Sequence, residues 1–194
     1  MALLRALGRG RKNKLDVLKL IEYAAGIGTD AKHIWEEHVI PWTDLVAAYG
    51  LPVDPIEAAG EIVGLHEAFN TAPSENLVYH VLIDFKSDCG LNPWDVARIV
   101  WDINGFLRNL GIAYYQGVHC STLREKEHPH AHIVINALSP VTGCRVQVNH
   151  SFLIFFKNYA NDVLRTAGQS LIAIGRRSLP FRIVLSQEKQ HEQQ

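Results

Sequence analysis

The stretch EHPHAHIVIN, residues 127–136, sets three histidines at alternate positions and then runs into apolar residues. Successive side chains of an extended strand point to opposite faces, so His128, His130 and His132 share one face and Ala131, Ile133 and Ile135 the other. One face carries chemistry and the other belongs to a core. His119 ends an upstream strand-like run, IAYYQGVH, just before the loop CSTLREKEHP. A hairpin connection brings it back beside His130 or His128. Three imidazoles from two adjacent strands can hold one divalent ion and leave positions open for water or a phosphate oxygen, as a catalytic site requires. The competing reading is a surface strand that happens to be rich in histidine.

The elements that must position these groups follow from periodicity. LVYHVLIDF, residues 77–85, reads as a strand with Tyr79, Val81, Ile83 and Phe85 on one face and Val78, His80, Leu82 and Asp84 on the other. NPWDVARIVWDINGFLRNLG reads as a helix capped by Asn92, entered at Pro93 and stopped at Gly111. IAYYQGVH and HAHIVINAL are two further strands, VTGCRVQV a turn into a short fourth, and Ser151–Ala167 a second amphipathic helix ending at Gly168. The expected class is α+β, an antiparallel sheet with helices on one face and the metal-bearing face open. That open face collects His80, Asp84, His130, His132 and Asn136.

Upstream, KLDVLKLIEYAA (residues 14–25) has a helical stripe of Leu15, Val17, Leu18, Ile21 and Ala24 ended by Gly26 and Gly28. Tyr23 lies on the line of Asp16 and Lys19, at the edge of the polar face, where its hydroxyl can reach solvent or a groove. Residues 30–70 read as short helices broken at Pro41 and Pro52, the best of them started by Asp54, Pro55 and Glu57, and serve as scaffold. NTAPSEN, residues 70–76, is the expected internal boundary. It divides a single domain over 1–172 into a mainly helical part (1–76) and a sheet-and-helix core (77–172), with 173–194 as a C-terminal extension.

Composition narrows the classes. A chain of 194 residues with 47% hydrophobic content and mixed charge suits one soluble domain, and no apolar run approaches the length of a membrane span. The start, MALLRALGRGRKNK, puts its charges after a short apolar run, the reverse of a secretory signal, so a cytoplasmic location is expected. Three cysteines without CxxC spacing, Cys89, Cys120 and Cys144, indicate reduced thiols. The formal net charge of −1 makes no global case for nucleic acid, but Arg5, Arg9, Arg11, Lys12 and Lys14 crowd one end and Arg176, Arg177 and Arg182 the other. Such clusters can track phosphates or be solvated terminal runs.

VHCSTLREKEHPHAHIVINAL resembles the histidine motif of the relaxase/mobilisation nuclease family, a branch of the His-hydrophobe-His endonucleases. One His precedes a loop and an HxH pair, here with Ala131 between, leads into an apolar strand ending in Asn. By order of elements the resemblance extends over residues 14–168. It implies a bacterial conjugative relaxase that nicks single-stranded DNA at an origin of transfer, with a helix tyrosine forming a 5′-phosphotyrosyl bond. The matching tyrosine is Tyr23, the implied metal ligands are His119, His130 and His132, and the implied ion is magnesium or manganese, with zinc or nickel able to occupy the same imidazoles.

A phenol is not ionised at neutral pH, and a nearby cation favours its anion. Arg9, Arg11, Lys12 and Lys14 are the expected DNA contacts. Implied partners are single-stranded and origin DNA with accessory and coupling proteins of a transfer apparatus, and a monomer is expected. The chain departs from the family pattern at Ser121, where an Asp is usual, in a longer loop to His130, and after Tyr23, where Asn and Lys-Thr are missing. His128 is therefore an alternative ligand, Asp84 or Glu22 an alternative acid, and His80 a further ligand or phosphate contact. A rolling-circle replication initiator would share the chemistry but place its tyrosine after the histidines, at Tyr159. A catalytically degraded DNA-binding homologue is the other alternative.

Overall fold

Alternation in VYHVLID, YYQGVH and HAHIVIN produces three long strands, β5 (Val78–Asp84), β6 (Tyr114–His119) and β7 (His130–Asn136), each too apolar on at least one face to remain in water. In the computed structural model, which describes residues 2–8, 10–28, 33–35, 38–85, 90–120 and 129–173, they form the centre of a five-stranded sheet. Two short strands, β1 (Leu3–Ala6) and β4 (Val46–Tyr49), flank them in the order β1-β5-β7-β6-β4, and every neighbouring pair is antiparallel. A separate two-stranded ribbon pairs β2 (Ile34–Trp35) with β3 (His38–Val39).

The helices are α1 (Lys14–Ala25), α2 (Pro55–Ala68), α3 (Pro93–Ile103), α4 (Gly105–Asn109) and α5 (His150–Thr166). Their starts are chemically specified. Asn13, Asp54, Asn92 and Asn149 each accept a hydrogen bond from a backbone N–H of the first turn, and Pro55 and Pro93 open α2 and α3. Gly26, in the left-handed region at φ 76, ends α1.

On one face of the sheet, Val81, Ile83, Ile133 and Ile135 pack against Val96, Ile99, Val100 and Ile103 of α3 and Phe152, Phe156, Ala160 and Leu164 of α5. On the other, Val78, Tyr115 and Val134 pack against Val17, Leu20, Ile21 and Ala24 of α1 and Ala58, Ala59 and Ile62 of α2. The α+β antiparallel architecture is as the sequence indicates. The histidine face is open at the end carrying Asp84 and His130, while α1 and α2 cover the end carrying Val78, Tyr115 and Val134, because those apolar groups need shielding from water.

Several local expectations are corrected. Residues 38–49 contain β3, a 3-10 turn at Trp42–Asp44 and β4 where short helices were expected, because Val46–Tyr49 gain backbone partners on the edge of β6. Leu15 is exposed and the buried stripe of α1 is Val17, Leu20, Ile21, Ala24 and Ala25. The helix after Asn92 breaks at Asn104, whose buried Nδ2 donates to Gln116 Oε1 at 2.8 Å. VTGCRVQV contributes a single bridge, Leu138 with Arg145, and no strand. Cys120 and Cys144 are free thiols; Cys89, Arg176, Arg177 and Arg182 lie outside the described residues.

Candidate metal centre and nucleophile

Antiparallel register sets the histidines side by side. His119 on β6 is directly opposite His130 on β7, and His130 is in turn opposite Asp84 on β5. Two residues along β7, His132 lies between Leu82 and Gly117. One ring nitrogen each from His119, His130 and His132 falls within 4.8 Å of the others, a spacing that could hold a single ion. His119 and His132 are buried and His130 is half-buried, so the cluster opens to solvent on the His130 side. An all-imidazole donor set of this kind suits a divalent transition metal better than magnesium, which favours oxygen ligands.

His80, on β5, meets His132 through a hydrogen bond of 2.8 Å between its Nε2 and His132 Nδ1. Burial, and then the Arg11 charge, push His80 down to about 4, so it is a neutral imidazole at physiological pH. If His132 offers Nε2 to a metal, its Nδ1–H must donate to His80 Nε2, which fixes the tautomer of both rings. His80 thus orients a candidate ligand.

Tyr23 comes to this cluster from α1. Its ring is edge-on to His132 at 5.0 Å, to His119 at 5.5 Å and to His80 at 6.3 Å between centroids, and it is 45% exposed. Two features bring the end of α1 down onto the sheet. His119 Nε2 lies 2.9 Å from Tyr23 O and 3.2 Å from Ala24 O, and His33 Nε2 lies 3.1 Å from Ala25 O, so two imidazoles can donate to carbonyls of the last turn, that of Tyr23 also accepting from Gly26 N at 3.1 Å. Gly117, between His132 and Val46 on the sheet, has Ala24 O where a Cβ would stand, only 2.0 Å from that position. A glycine in mid-strand often marks such a close backbone approach. That signal is present in YYQGVH, whereas His33, in the 30–70 segment, carries no comparable mark in the sequence.

The other named residues divide. Asp84 faces His130 across the ladder. Glu22 neighbours Tyr23 on α1 but its carboxylate makes no hydrogen bond or ion pair to the cluster among the described residues. Asn136 belongs to the scaffold, contrary to its expected place on the open face: its Oδ1 accepts from His66 Nε2 at 2.9 Å and from Leu138 N at 3.1 Å beneath α2. Burial lowers the His66 pKa most, partly opposed by the Asn136 hydrogen bond. Tyr159 lies on α5 in the opposite layer, against Gly105 and Phe106.

Of the basic residues, Arg11 is exposed and near His80, Lys12 lines a cleft with Gly10, Asn76, Tyr79 and Arg145, and Lys14 is ion-paired with Glu67 of α2. His128, Ser121 and Arg9 lie outside the described residues. No helix among the described residues is long and apolar enough to cross a membrane.

A solved structure described as "Molecular Basis of Vancomycin Resistance Transfer in Staphylococcus aureus" superposes on 91% of this chain and 100% of its own, with a TM-score of 0.53 and 12% identity, a likeness of fold. No curated protein matches the sequence significantly. The family model "Relaxase: MobA/VirD2-like, nuclease domain" matches residues 41–168, a span that includes all three clustered histidines and begins after Tyr23. With two thirds of its length under that match, the chain belongs to the MobA/VirD2-like relaxase nuclease family.

Proposed function

We propose that this chain nicks single-stranded DNA at an origin of transfer by transesterification, with Tyr23 as the nucleophile. The observation that carries the reading is the edge-on contact of a half-exposed Tyr23 ring with His119 and His132, outside the span that the family model matches. In the proposed step the Tyr23 phenolic oxygen attacks phosphorus, the P–O3′ bond breaks, the phenolic proton passes to a base, and the departing 3′ oxygen gains a proton. Asp84, opposite His130 on the ladder, supports the base role better than Glu22 does. A divalent cation held by His119, His130 and His132 would polarise a non-bridging phosphate oxygen and stabilise the charge that develops there. His80 keeps His132 in one tautomer, and His119 steadies the Tyr23 carbonyl, so the nucleophile and the ligands share one set of hydrogen bonds.

The test is incubation of the protein with a random-sequence pool of single-stranded oligonucleotides and manganese, followed by mass analysis of tyrosine peptides. The expected result is a DNA adduct on the Tyr23 peptide that is lost in Tyr23→Phe and kept in Tyr159→Phe. The double variant His130→Ala/His132→Ala should lose metal-dependent cleavage while retaining the fold. Cleavage that is equal with and without chelator would contradict the metal ligands, and oligonucleotide binding without any cleavage would identify a degraded homologue. The position of Tyr159 in the opposite helical layer argues against the rolling-circle initiator.

A further inference from the structure

We propose that Arg5 and Arg11, on the histidine face of the edge strand β1 and its continuation, grip the DNA segment that leaves with a free 3′-hydroxyl. The inference rests on Tyr23 being the nucleophile. It assigns one of the two product strands to one flank of the site, which the cluster of basic residues in the sequence could not do.

Residues paired across an antiparallel ladder share a face. Arg5 pairs with Leu82, and Leu82 with His132, so all three lie on the face of the metal cluster; Leu4, the preceding residue, is buried in the opposite core. Two strand spacings, about 10 Å, separate Arg5 from His132, and a phosphodiester chain beginning at the cluster crosses that distance in one or two nucleotides. Beyond Ala6, Gly8 and Gly10 both take positive φ, and Arg11 bridges Val78 of the same neighbouring strand. Its bridge partner Val78 is two residues from His80 on the same face of β5. Both arginines are exposed, and neither enters an ion pair among the described residues, whereas Lys14, Arg98, Arg145 and Arg165 are each paired with a carboxylate. Exposed guanidinium groups beside a phosphoryl-transfer site are suited to charge-assisted contacts with phosphates.

The direction comes from Tyr23. Its carbonyl lies over His119 on β6, its ring is nearest His132 on β7, and the same ring is 6.3 Å from His80 on β5. Tyr23 therefore has its carbonyl at β6 and its ring nearest β7, the strand that lies between β6 and β5. In-line displacement puts the leaving oxygen on the far side of phosphorus from the attacking oxygen, which is the side of β5 and β1. The segment joined to Tyr23 is held covalently. The segment ending in the 3′-hydroxyl has only non-covalent contacts, and the two arginines are on its path.

The test uses the full chain and a cleaved oligonucleotide recovered from the random pool, labelled at its 5′ end so that the label follows the 3′-hydroxyl product. Arg5→Gln/Arg11→Gln should release this product at least tenfold faster than wild type. At equilibrium it should leave a larger share of enzyme as tyrosyl adduct, because rejoining needs the retained strand. The slope of log affinity against log salt for that product should flatten by about 0.7 per lost phosphate contact. Arg5→Lys/Arg11→Lys should recover most of the retention. Arg98→Gln/Arg165→Gln, the same charge change on the opposite helical layer, should leave release unchanged. Unaltered release in the Arg5→Gln/Arg11→Gln protein, or a loss of affinity confined to the segment 3′ of the cut, would overturn the assignment. Absence of any Tyr23 adduct in wild type would overturn the nucleophile reading, and this strand assignment with it.

Discussion

On one face of the sheet Val81, Ile83, Ile133 and Ile135 meet Phe152, Phe156 and the apolar stripe of α3, while on the other His119 and His132 meet the carbonyl end of α1. The first contact is broad and non-directional: many methyl and aromatic groups share the burial, and the loss of one leaves the rest in place. The second depends on a few atoms. One missing Cβ, at Gly117, and three imidazole–carbonyl contacts, two from His119 and one from His33, decide where the Tyr23 ring comes to rest. The face that packs the helices α3 and α5 and the face that carries the histidine cluster thus use the same strands with different tolerances, and substitutions on the two faces should fail in different ways.

The largest effect is expected in the broad core. Phe156→Ala empties a fully buried site stacked on Phe106, and should cost about 3–5 kcal/mol of unfolding free energy in a denaturant titration. Single-turnover cleavage per folded molecule should be unchanged; a fall in that rate would mean that the two faces are coupled. Gly117→Ala should do the opposite. A methyl placed 2.0 Å from Ala24 O must lift the end of α1, and a displacement of about 1 Å at a nucleophile costs on the order of a hundredfold in rate. Metal binding, followed by manganese titration, should persist in Gly117→Ala, so a cleavage rate equal to wild type would remove the close approach from the account of the site.

His80→Ala is expected to act on the metal rather than on α1. Loss of the partner of His132 Nδ1 should weaken manganese affinity by about 10–100-fold, with rate recovering at high metal concentration. A rate defect that saturating metal does not relieve would move His80 from an orienting group to a contact with DNA.

The smallest effect is one of pH and belongs to the scaffold. His66 is buried and hydrogen-bonded under α2, and its pKa is lowered from 6.5, so the unfolded chain takes up the proton first as pH falls. Its contribution is fully present above pH 6.5 and is lost as the pH falls through the folded value, by at most about 1.4 kcal/mol per pH unit for one proton. Denaturant titrations at pH 7.5 and at successively lower pH should show this slope, and His66→Gln should flatten it by one proton's worth.

Sequence alone determined the features governed by local geometry. The alternation in HPHAHIVIN puts His130 and His132 on one face whatever surrounds them, and Asn13, Asp54, Asn92 and Asn149 start helices because their side chains reach the first free amides. Tyr23 at the edge of the polar face follows from the same helical geometry.

What the tertiary structure decided depends on partners distant in the chain. LLRA and VAAY are four-residue stretches with weak patterns of their own, and they become strands because β5 and β6 offer unpaired edges. Asn104 breaks a helix that its periodicity would continue, since Gln116 supplies the hydrogen bond. The meeting of Tyr23, His80 and His132, and the presence of Arg5 on their face, arise from register between segments tens of residues apart, which a ladder of backbone hydrogen bonds sets and no local propensity encodes.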